Sequence, residues 1–259
     1  MSTSSHCTIN RRFFALTIAG LLVAHTAAAQ VTATQLITQT SRHIVESYYG
    51  LGTTGVVRFF GTVTVHFAPN CSAATRESTT QLISILNTLI VPGGTTLVLA
   101  PAYEPPCEPG TRNTIFICEG PAGLAQFSRY TGPIPPNSNG LAAPSFGYGT
   151  MYSSVVWVKN SIQPGFYNLG LAMQADYNAL LHELMHSLGI LSESTDNRDV
   201  MCNVAVVKGY SKTEYYAIQV LYRTLRGGET KAEAIAATTA ALRDIFYAMT
   251  PAQLAVYHP

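Results

Sequence analysis

The segment His182-Glu183-Leu184-Met185-His186 constrains this chain more than any other feature of its sequence. On a helix, residues four positions apart lie on the same face, so both imidazoles can reach one metal ion at roughly 2.0–2.1 Å, the usual Zn–N distance. Glu183 follows the first histidine directly, which brings a carboxylate beside the metal as a base for a water molecule. The pattern predicts a Zn²⁺ site with His182 and His186 as ligands and Glu183 as the catalytic base.

The residues around this motif favour a helix. Apolar side chains recur at the spacing i, i+3, i+4 and i+7, which predicts a buried stripe made of Leu181, Leu184, Met185 and Leu188. We expect the helix to run from Tyr177 to Leu188, with Asp176 as its N-cap and Gly189 as the residue that ends it. A glycine directly after the helix lets the chain turn back toward the metal.

The first 29 residues have the composition of a secretory signal peptide. Arg11 and Arg12 form a positive region, residues 13–24 an apolar segment too short to span a bilayer, and residues 27–29 a cleavage site. The arginine pair also resembles that of a twin-arginine export signal. The sequence therefore predicts a secreted protein, extracellular or, in a bacterium, periplasmic, with no membrane association after cleavage.

Length and charge limit the organisation and the partners. A chain of 259 residues can form one substantial core and a small extension. We expect a signal peptide at 1–29, a catalytic domain at 30–225 and a C-terminal helical extension at 226–259. The formal net charge of +1 offers no electrostatic reason to expect nucleic acid or an anionic membrane as a partner.

Four cysteines lie outside the signal segment, and an even number in an exported protein predicts two disulfides. Three connectivities are possible for these four residues. We expect Cys107–Cys118 together with Cys71–Cys202, because the first pair closes a short loop. No Cys-x-x-Cys spacing points to a cysteine zinc site.

The remaining sequence mixes helices with short strands. Helical periodicity occurs at 30–49, 77–89, 211–223 and 230–250. Strand patterns occur at 56–60, 61–67, 95–99, 114–118 and 151–158. The stretch 132–148 is rich in Gly, Pro, Ser and Asn and is expected to be irregular. This order predicts an α+β fold, a twisted mixed sheet with an active-site helix and further helices toward the C-terminus.

Three segments resemble the metzincin zinc endopeptidases, and among them the matrixins. They are the zinc helix with its glycine turn at 182–190, Asp199-Val200-Met201, which is similar to the Met-turn of that family, and 210–222, which resembles the matrixin helix ending in Ile-Gln-x-Leu-Tyr. The resemblance implies a metzincin-like sheet, Met201 beneath the zinc site and zinc-dependent endopeptidase activity. It also implies an extended protein or peptide substrate antiparallel to an edge strand, which we expect at Met151–Val158.

The sequence departs from the family pattern at the third zinc ligand. The pattern His-Glu-x-x-His-x-x-Gly-x-x-His requires a histidine where this chain has Ser192, and a neutral hydroxyl is a poor zinc ligand. The adjacent Glu193 can supply a carboxylate, and Asp196 and Asp199 lie on the same loop. Glu214 on a later predicted helix would serve in a different zinc architecture, against which the resemblance of 210–222 to the matrixin helix argues. Catalytic zinc requires three protein ligands, so Glu193 is the candidate third ligand, with Ser192 the alternative at the family position.

Two functions follow from these residues. The first is a secreted zinc metalloendopeptidase that hydrolyses peptide bonds with a water activated by Glu183 on the zinc ion. The second is a secreted binding protein of the same fold that has lost catalysis, which Ser192 at the ligand position favours.

Overall fold

The computed structural model describes residues 33–101, 110–132, 138–159, 171–196, 198–202, 211–250 and 252–253. Over these residues the protein has an α+β architecture with one five-stranded sheet and six α-helices. The strands are β1 (Gly61–Phe67), β2 (Thr95–Leu99), β3 (Thr114–Glu119), β4 (Gly140–Gly147) and β5 (Thr150–Val158). The helices are α1 (33–47), α2 (Ala73–Ile90), α3 (Gly120–Thr131), α4 (Leu171–Ser187), α5 (Lys212–Arg223) and α6 (Lys231–Tyr247).

The sheet is mixed and has the strand order β2-β1-β3-β5-β4. Strands β2, β1, β3 and β5 run parallel to one another, and β4 pairs antiparallel with β5. Parallel neighbours need a crossover connection, and α2 supplies one between β1 and β2. The sheet therefore ends on β4, whose outer side has no strand partner in the described part of the chain.

The position of β4 corrects two expectations from the sequence. The stretch 132–148 contains a strand, and the edge strand beside α4 is β4, whereas Met151–Val158 belongs to β5 inside the sheet. No residue of β4 is fully buried, and its side chains are mostly small, so the strand lacks a clear apolar alternation. Pro144 is compatible with this position because proline at a sheet edge does not interrupt a ladder.

The segment 56–60 was predicted as a strand and forms only an isolated bridge between Arg58 and Thr150. The Arg58 side chain is buried, and its Nη1 donates to the carbonyl oxygens of Tyr222 and Leu225 at 2.7 and 2.8 Å. The end of α5 thus provides acceptors for the guanidinium group, and this contact between distant segments competes with strand pairing.

The predicted helices are present, with small shifts at their ends. Helix α2 begins earlier than predicted because Ser72 caps it, accepting the backbone N–H of Thr75. Helices α5 and α6 each begin with a capping box, formed by Ser211 with Glu214 and by Thr230 with Glu233. Helix α3, between β3 and β4, was not predicted.

Helix α1 and the residue that follows it contact both C-terminal helices, α5 and α6. The buried Tyr48, directly after α1, donates its hydroxyl to the carbonyl oxygen of Ala217 in α5 at 2.7 Å. On α6, Lys231 lies 3.5 Å from the carboxylate of Glu46. In the expected extension, residues 226–231 are joined to the preceding domain by the Lys231–Glu46 pair and by backbone hydrogen bonds from the N–H of Val56 to Glu229 and from the N–H of Gly228 to Val56.

Cys71, Cys118 and Cys202 are buried free thiols among the described residues, so the predicted pair Cys71–Cys202 is not formed, and Cys107, the predicted partner of Cys118, lies outside the described residues. The thiol of Cys71 donates to the carbonyl oxygen of Ile117 on β3, whereas Cys202 closes the turn that begins at Asp199. The fold thus holds Cys71 and Cys202 in different surroundings. Burial, chiefly, raises the pKa of Cys71 and of Cys118 to about 12, so both stay protonated and unreactive.

The predicted signal peptide, residues 1–29, lies outside the described residues. Within the part of the chain that the structure describes, no helix is long and apolar enough to cross a membrane.

Candidate metal centre

Helix α4 carries the two histidines and packs against the sheet. It begins at Leu171, so Asp176 lies inside the helix and is not its N-cap as predicted. The predicted stripe of Leu181, Leu184, Met185 and Leu188 is fully buried. A hydrogen bond of 2.8 Å between the hydroxyls of Ser154 on β5 and Ser187 attaches the end of the helix to the sheet.

Gly189 ends this helical segment, as predicted. Its φ of 104° is unfavourable for a residue with a side chain, and a Cβ atom here would lie 2.3 Å from the carbonyl oxygen of Val57. The chain therefore turns sharply after α4 and returns toward the histidines.

Each histidine has one ring nitrogen bonded to the backbone. Nδ1 of His182 lies 2.8 Å from the carbonyl oxygen of Val200, and Nδ1 of His186 lies 2.6 Å from that of Ile190. A carbonyl oxygen only accepts hydrogen bonds, so each Nδ1 atom carries its hydrogen. Carbonyl contacts of this kind orient metal-binding histidines and leave Nε2 as the ligand atom.

The carboxylate of Glu193 faces both Nε2 atoms. Its Oε2 lies 3.3 Å from Nε2 of His182, and its Oε1 lies 3.3 Å from Nε2 of His186. Two ligand atoms bound to one zinc ion at 2.0–2.1 Å in tetrahedral geometry are roughly 3.3–3.4 Å apart. The residues present thus fit a His₂Glu zinc site.

The side chains of His182, His186 and Glu193 affect one another's charge. Burial alone would lower the pKa of His182, but the hydrogen bond with Glu193 and the charges of Glu183 and Glu193 outweigh burial and raise this pKa to about 9. Burial alone would raise the pKa of Glu193, but hydrogen bonds from both histidines outweigh it and lower this pKa to about 2. Glu193 is therefore ionised at neutral pH, and a metal ion would compete with a proton for His182.

Glu183 lies on the other side of the histidines, beneath the edge strand. Burial is the main cause that raises its pKa to about 7, against the opposing charges of the two histidines and a hydrogen bond from the backbone N–H of Ala142. A Cβ atom at Gly140 would lie 2.9 Å from Cγ of Glu183, so a glycine in β4 makes room for the carboxylate. A base with a pKa near neutrality can both accept and release a proton.

Two glutamates therefore lie close to the histidines. The donor atoms of His182, Glu183 and His186 all lie within 4.8 Å of one another, which by distance alone makes Glu183 a possible ligand too. We favour Glu193 as the ligand because its two oxygens face the two Nε2 atoms, whereas the carboxylate of Glu183 is held by β4. Glu183 then remains available as a base.

Ser192, at the position of the third family ligand, is bonded elsewhere. Its hydroxyl donates to the carbonyl oxygen of Tyr49 at 2.5 Å, and its backbone N–H donates to the carbonyl oxygen of Ser47 at 3.0 Å. Of the other carboxylates on this loop, Asp196 pairs with Arg198 and Asp199 accepts the hydroxyl of Ser194. Among the ligand alternatives on the loop, the structure thus brings only Glu193 to the histidines.

Met201 lies in a buried turn that Glu214 holds in place. The carboxylate of Glu214 accepts the backbone N–H groups of Val200 and Met201 at 3.0 and 2.7 Å, and that of Ser211 at 2.8 Å. Because Val200 also accepts the hydrogen bond from Nδ1 of His182, Glu214 supports the first histidine through the backbone of the turn.

Glu214 was considered as a metal ligand from the sequence, but its carboxylate is occupied by these three backbone groups. Burial, chiefly, raises its pKa to about 7. Sequence reasoning missed this supporting role. The spacing Ser211-x-x-Glu214 was the available signal, since it is that of a capping box at the start of a helix.

In comparisons with known proteins, the chain matches no family model and no curated protein sequence. The geometry of His182, Glu183, His186 and Glu193 is therefore the feature of this chain that points to a function.

Proposed function

We propose that this protein is an exported zinc-dependent endopeptidase of the metzincin type. The observation that carries the proposal is the pair of 3.3 Å contacts between the carboxylate of Glu193 and the Nε2 atoms of His182 and His186. The five-stranded mixed sheet and the helix order are compatible with that fold. His182, His186 and Glu193 would hold the Zn²⁺ ion, with Glu183 beside it.

Bound zinc would supply Lewis-acid polarisation of the scissile carbonyl and would lower the pKa of a water molecule. Glu183 accepts the proton of the attacking water on its carboxylate and later passes it to the leaving amine. Its buried position under β4 keeps bulk water from competing for this proton. Gly140 of β4 lies against this side chain, since a Cβ atom there would come within 3.0 Å of Oε1 of Glu183.

The edge strand provides a site for an extended peptide. Lys159 donates to the carbonyl oxygen of Asn139, so this pair belongs to the hydrogen-bonded positions of the β4–β5 ladder. Along an antiparallel ladder, hydrogen-bonded pairs alternate with pairs that are not hydrogen-bonded to each other. The backbone C=O groups of Gly140, Ala142 and Pro144, and the N–H groups of the first two, therefore turn toward the free edge of β4. A peptide added there would run past Glu183, which supports a protein or peptide substrate.

The alternative function is a binding protein of this fold without catalysis, which the serine at the family ligand position favours. The two functions differ in one measurement, the cleavage of an unfolded protein substrate. We expect the purified protein loaded with zinc to cleave such a substrate, a chelator to stop cleavage, and added zinc to restore it. Stoichiometric zinc binding without cleavage would favour the binding protein, and absence of both would refute the metal centre.

Replacing Glu193 by glutamine tests the third ligand. We expect Glu193→Gln to weaken zinc binding by at least about a hundredfold, because a neutral amide replaces a charged ligand, and changes in supporting residues alone cost 10–100-fold. Competition with a chromophoric chelator measures the zinc dissociation constant. Asp196→Asn is the matched control, since Asp196 lies on the same loop and pairs with Arg198. Equal zinc affinity of wild type and Glu193→Gln would exclude Glu193 as a ligand.

A further inference from the structure

The loop that carries Glu193 is attached to the end of α1 by three hydrogen bonds. The carbonyl oxygen of Ser47 accepts the backbone N–H groups of Leu191 and Ser192 at 2.7 and 3.0 Å. The carbonyl oxygen of Tyr49 accepts the hydroxyl of Ser192 at 2.5 Å. Carbonyl groups at the end of a helix have no partner inside the helix, so the end of α1 offers free acceptors to the loop.

The backbones of these two segments are in direct contact. A Cβ atom at Gly50 would lie 2.3 Å from the carbonyl oxygen of Leu191, so only glycine allows this approach. The acceptor side is itself fixed, because Tyr48 is fully buried and bonded to Ala217 of α5. The end of α1 therefore acts as a rigid support for the loop.

Packing holds the two ends of the loop, where Ile190 and Leu191 and then Val200 and Met201 are buried, but it does not enclose the middle of the loop. A cavity of about 240 Å³ borders it, lined among others by Ser192, Glu193 and Ser194 from the loop and by residues of α1 and α5. Farther along the loop, Asp199 accepts the hydroxyl of Ser194 and pairs with His43 of α1 at 3.3 Å. Between these buried ends, the polar contacts with α1 and the residues after it fix the position of Ser192 and of the residues that follow it.

The contact made by Ser192 sets the direction of the next side chain. The hydroxyl of Ser192 points to α1, whereas the carboxylate of Glu193 points to the histidines of α4. Rotating the backbone so that residue 192 faced the histidines would break the bond to Tyr49 and move the Glu193 carboxylate away from both Nε2 atoms.

We propose that Ser192 is a positioning residue for the metal centre, whose hydroxyl holds the loop on α1 so that Glu193 serves as the third ligand. This inference rests on the proposed zinc site. It gives the serine at the position of the family ligand a role that requires a hydroxyl and no metal contact.

The test compares zinc affinities across a double-mutant cycle. Ser192→Ala should weaken zinc binding about fivefold, which corresponds to ~1 kcal/mol, the net value of one hydrogen bond. Ser192→Thr keeps the hydroxyl and should restore most of the affinity. In the Glu193→Gln background, Ser192→Ala should change the affinity less than about twofold, because the ligand that it positions is gone. The control is Ser128→Ala in α3, where another serine hydroxyl donates to a backbone carbonyl, that of Ala125.

Two further measurements separate positioning from a general effect on folding. The absorption spectrum of the cobalt(II)-substituted protein reports the ligand geometry, so Ser192→Ala should change it and Ser128→Ala should not. Hydrogen exchange of the metal-free protein should show faster exchange of the Leu191 and Ser192 amides in Ser192→Ala, with the amides of α4 unchanged.

The results that overturn the inference are distinct from those that overturn the zinc site. Equal weakening by Ser192→Ala in both backgrounds would mean that the residue acts on the fold and not through Glu193. Unchanged zinc affinity and unchanged loop exchange in Ser192→Ala would remove the positioning role while leaving the zinc site intact. A wild type that binds no zinc refutes the proposed function and, with it, this role for Ser192.

Discussion

Replacing Glu183 by alanine is expected to remove nearly all peptide hydrolysis and to leave zinc bound. Glu183 moves protons and, in the proposed centre, does not ligate, so its loss costs a general base, whose contribution is about 10²–10⁴-fold in rate. The side chain is buried against Gly140 of β4, and Glu183→Gln preserves its size at that position. We therefore expect both variants to fold, to bind zinc and to be inactive.

The measurement is the rate of cleavage of an unfolded protein substrate, with zinc content determined on the same samples. Glu193→Gln serves as the contrasting variant, because it should lose zinc first and activity as a consequence. Cleavage at the wild-type rate by Glu183→Ala would assign the hydrolysis to a contaminant or to a different site. Loss of zinc from both Glu183 variants would instead make Glu183 a ligand.

Replacing His186 by alanine is expected to abolish zinc binding, with a loss of affinity larger than that of Glu193→Gln. His186 supplies the nitrogen opposite Oε1 of Glu193, and its Nδ1 contact with Ile190 already orients the ring. One imidazole and one carboxylate would remain, and structural or catalytic zinc in proteins normally needs at least three protein ligands. Peptidase activity should disappear together with the metal.

Zinc content after loading and desalting measures this effect, and circular dichroism checks that the variant is folded. The comparison variant is His43→Ala, because His43 is also a histidine beside a carboxylate, that of Asp199, and contacts the loop without being a proposed ligand, so its loss should weaken zinc binding far less than the loss of His186. We expect His43→Ala to keep stoichiometric zinc. A His186→Ala protein with the zinc affinity of the wild type would contradict the assignment of the centre to α4.

Local regularities in the sequence predicted the parts of the site that belong to one helix. The four-residue spacing of His182 and His186 places both rings on one face because a helix has 3.6 residues per turn. The apolar stripe of α4 predicted which face is buried, and Gly189 predicted where the helical segment ends. These features depend on backbone geometry within a few residues, so sequence reasoning could reach them.

Contacts between distant segments decided the rest. The sequence left Ser192, Glu193 and two aspartates open as third ligand, and it could not show that the hydroxyl of Ser192 is bonded to Tyr49, 143 positions away, while Glu193 faces the histidines. The edge strand was misplaced for the same reason, since β4 is defined by its pairing with β5 rather than by its own pattern. The expected Cys71–Cys202 disulfide is likewise absent, because cysteine spacing does not determine which thiols meet in the fold. The sequence by itself thus determined the histidine pair with Glu183 beside it, and tertiary structure decided which carboxylate of the loop faces the two histidines, because only contacts between distant segments orient a loop.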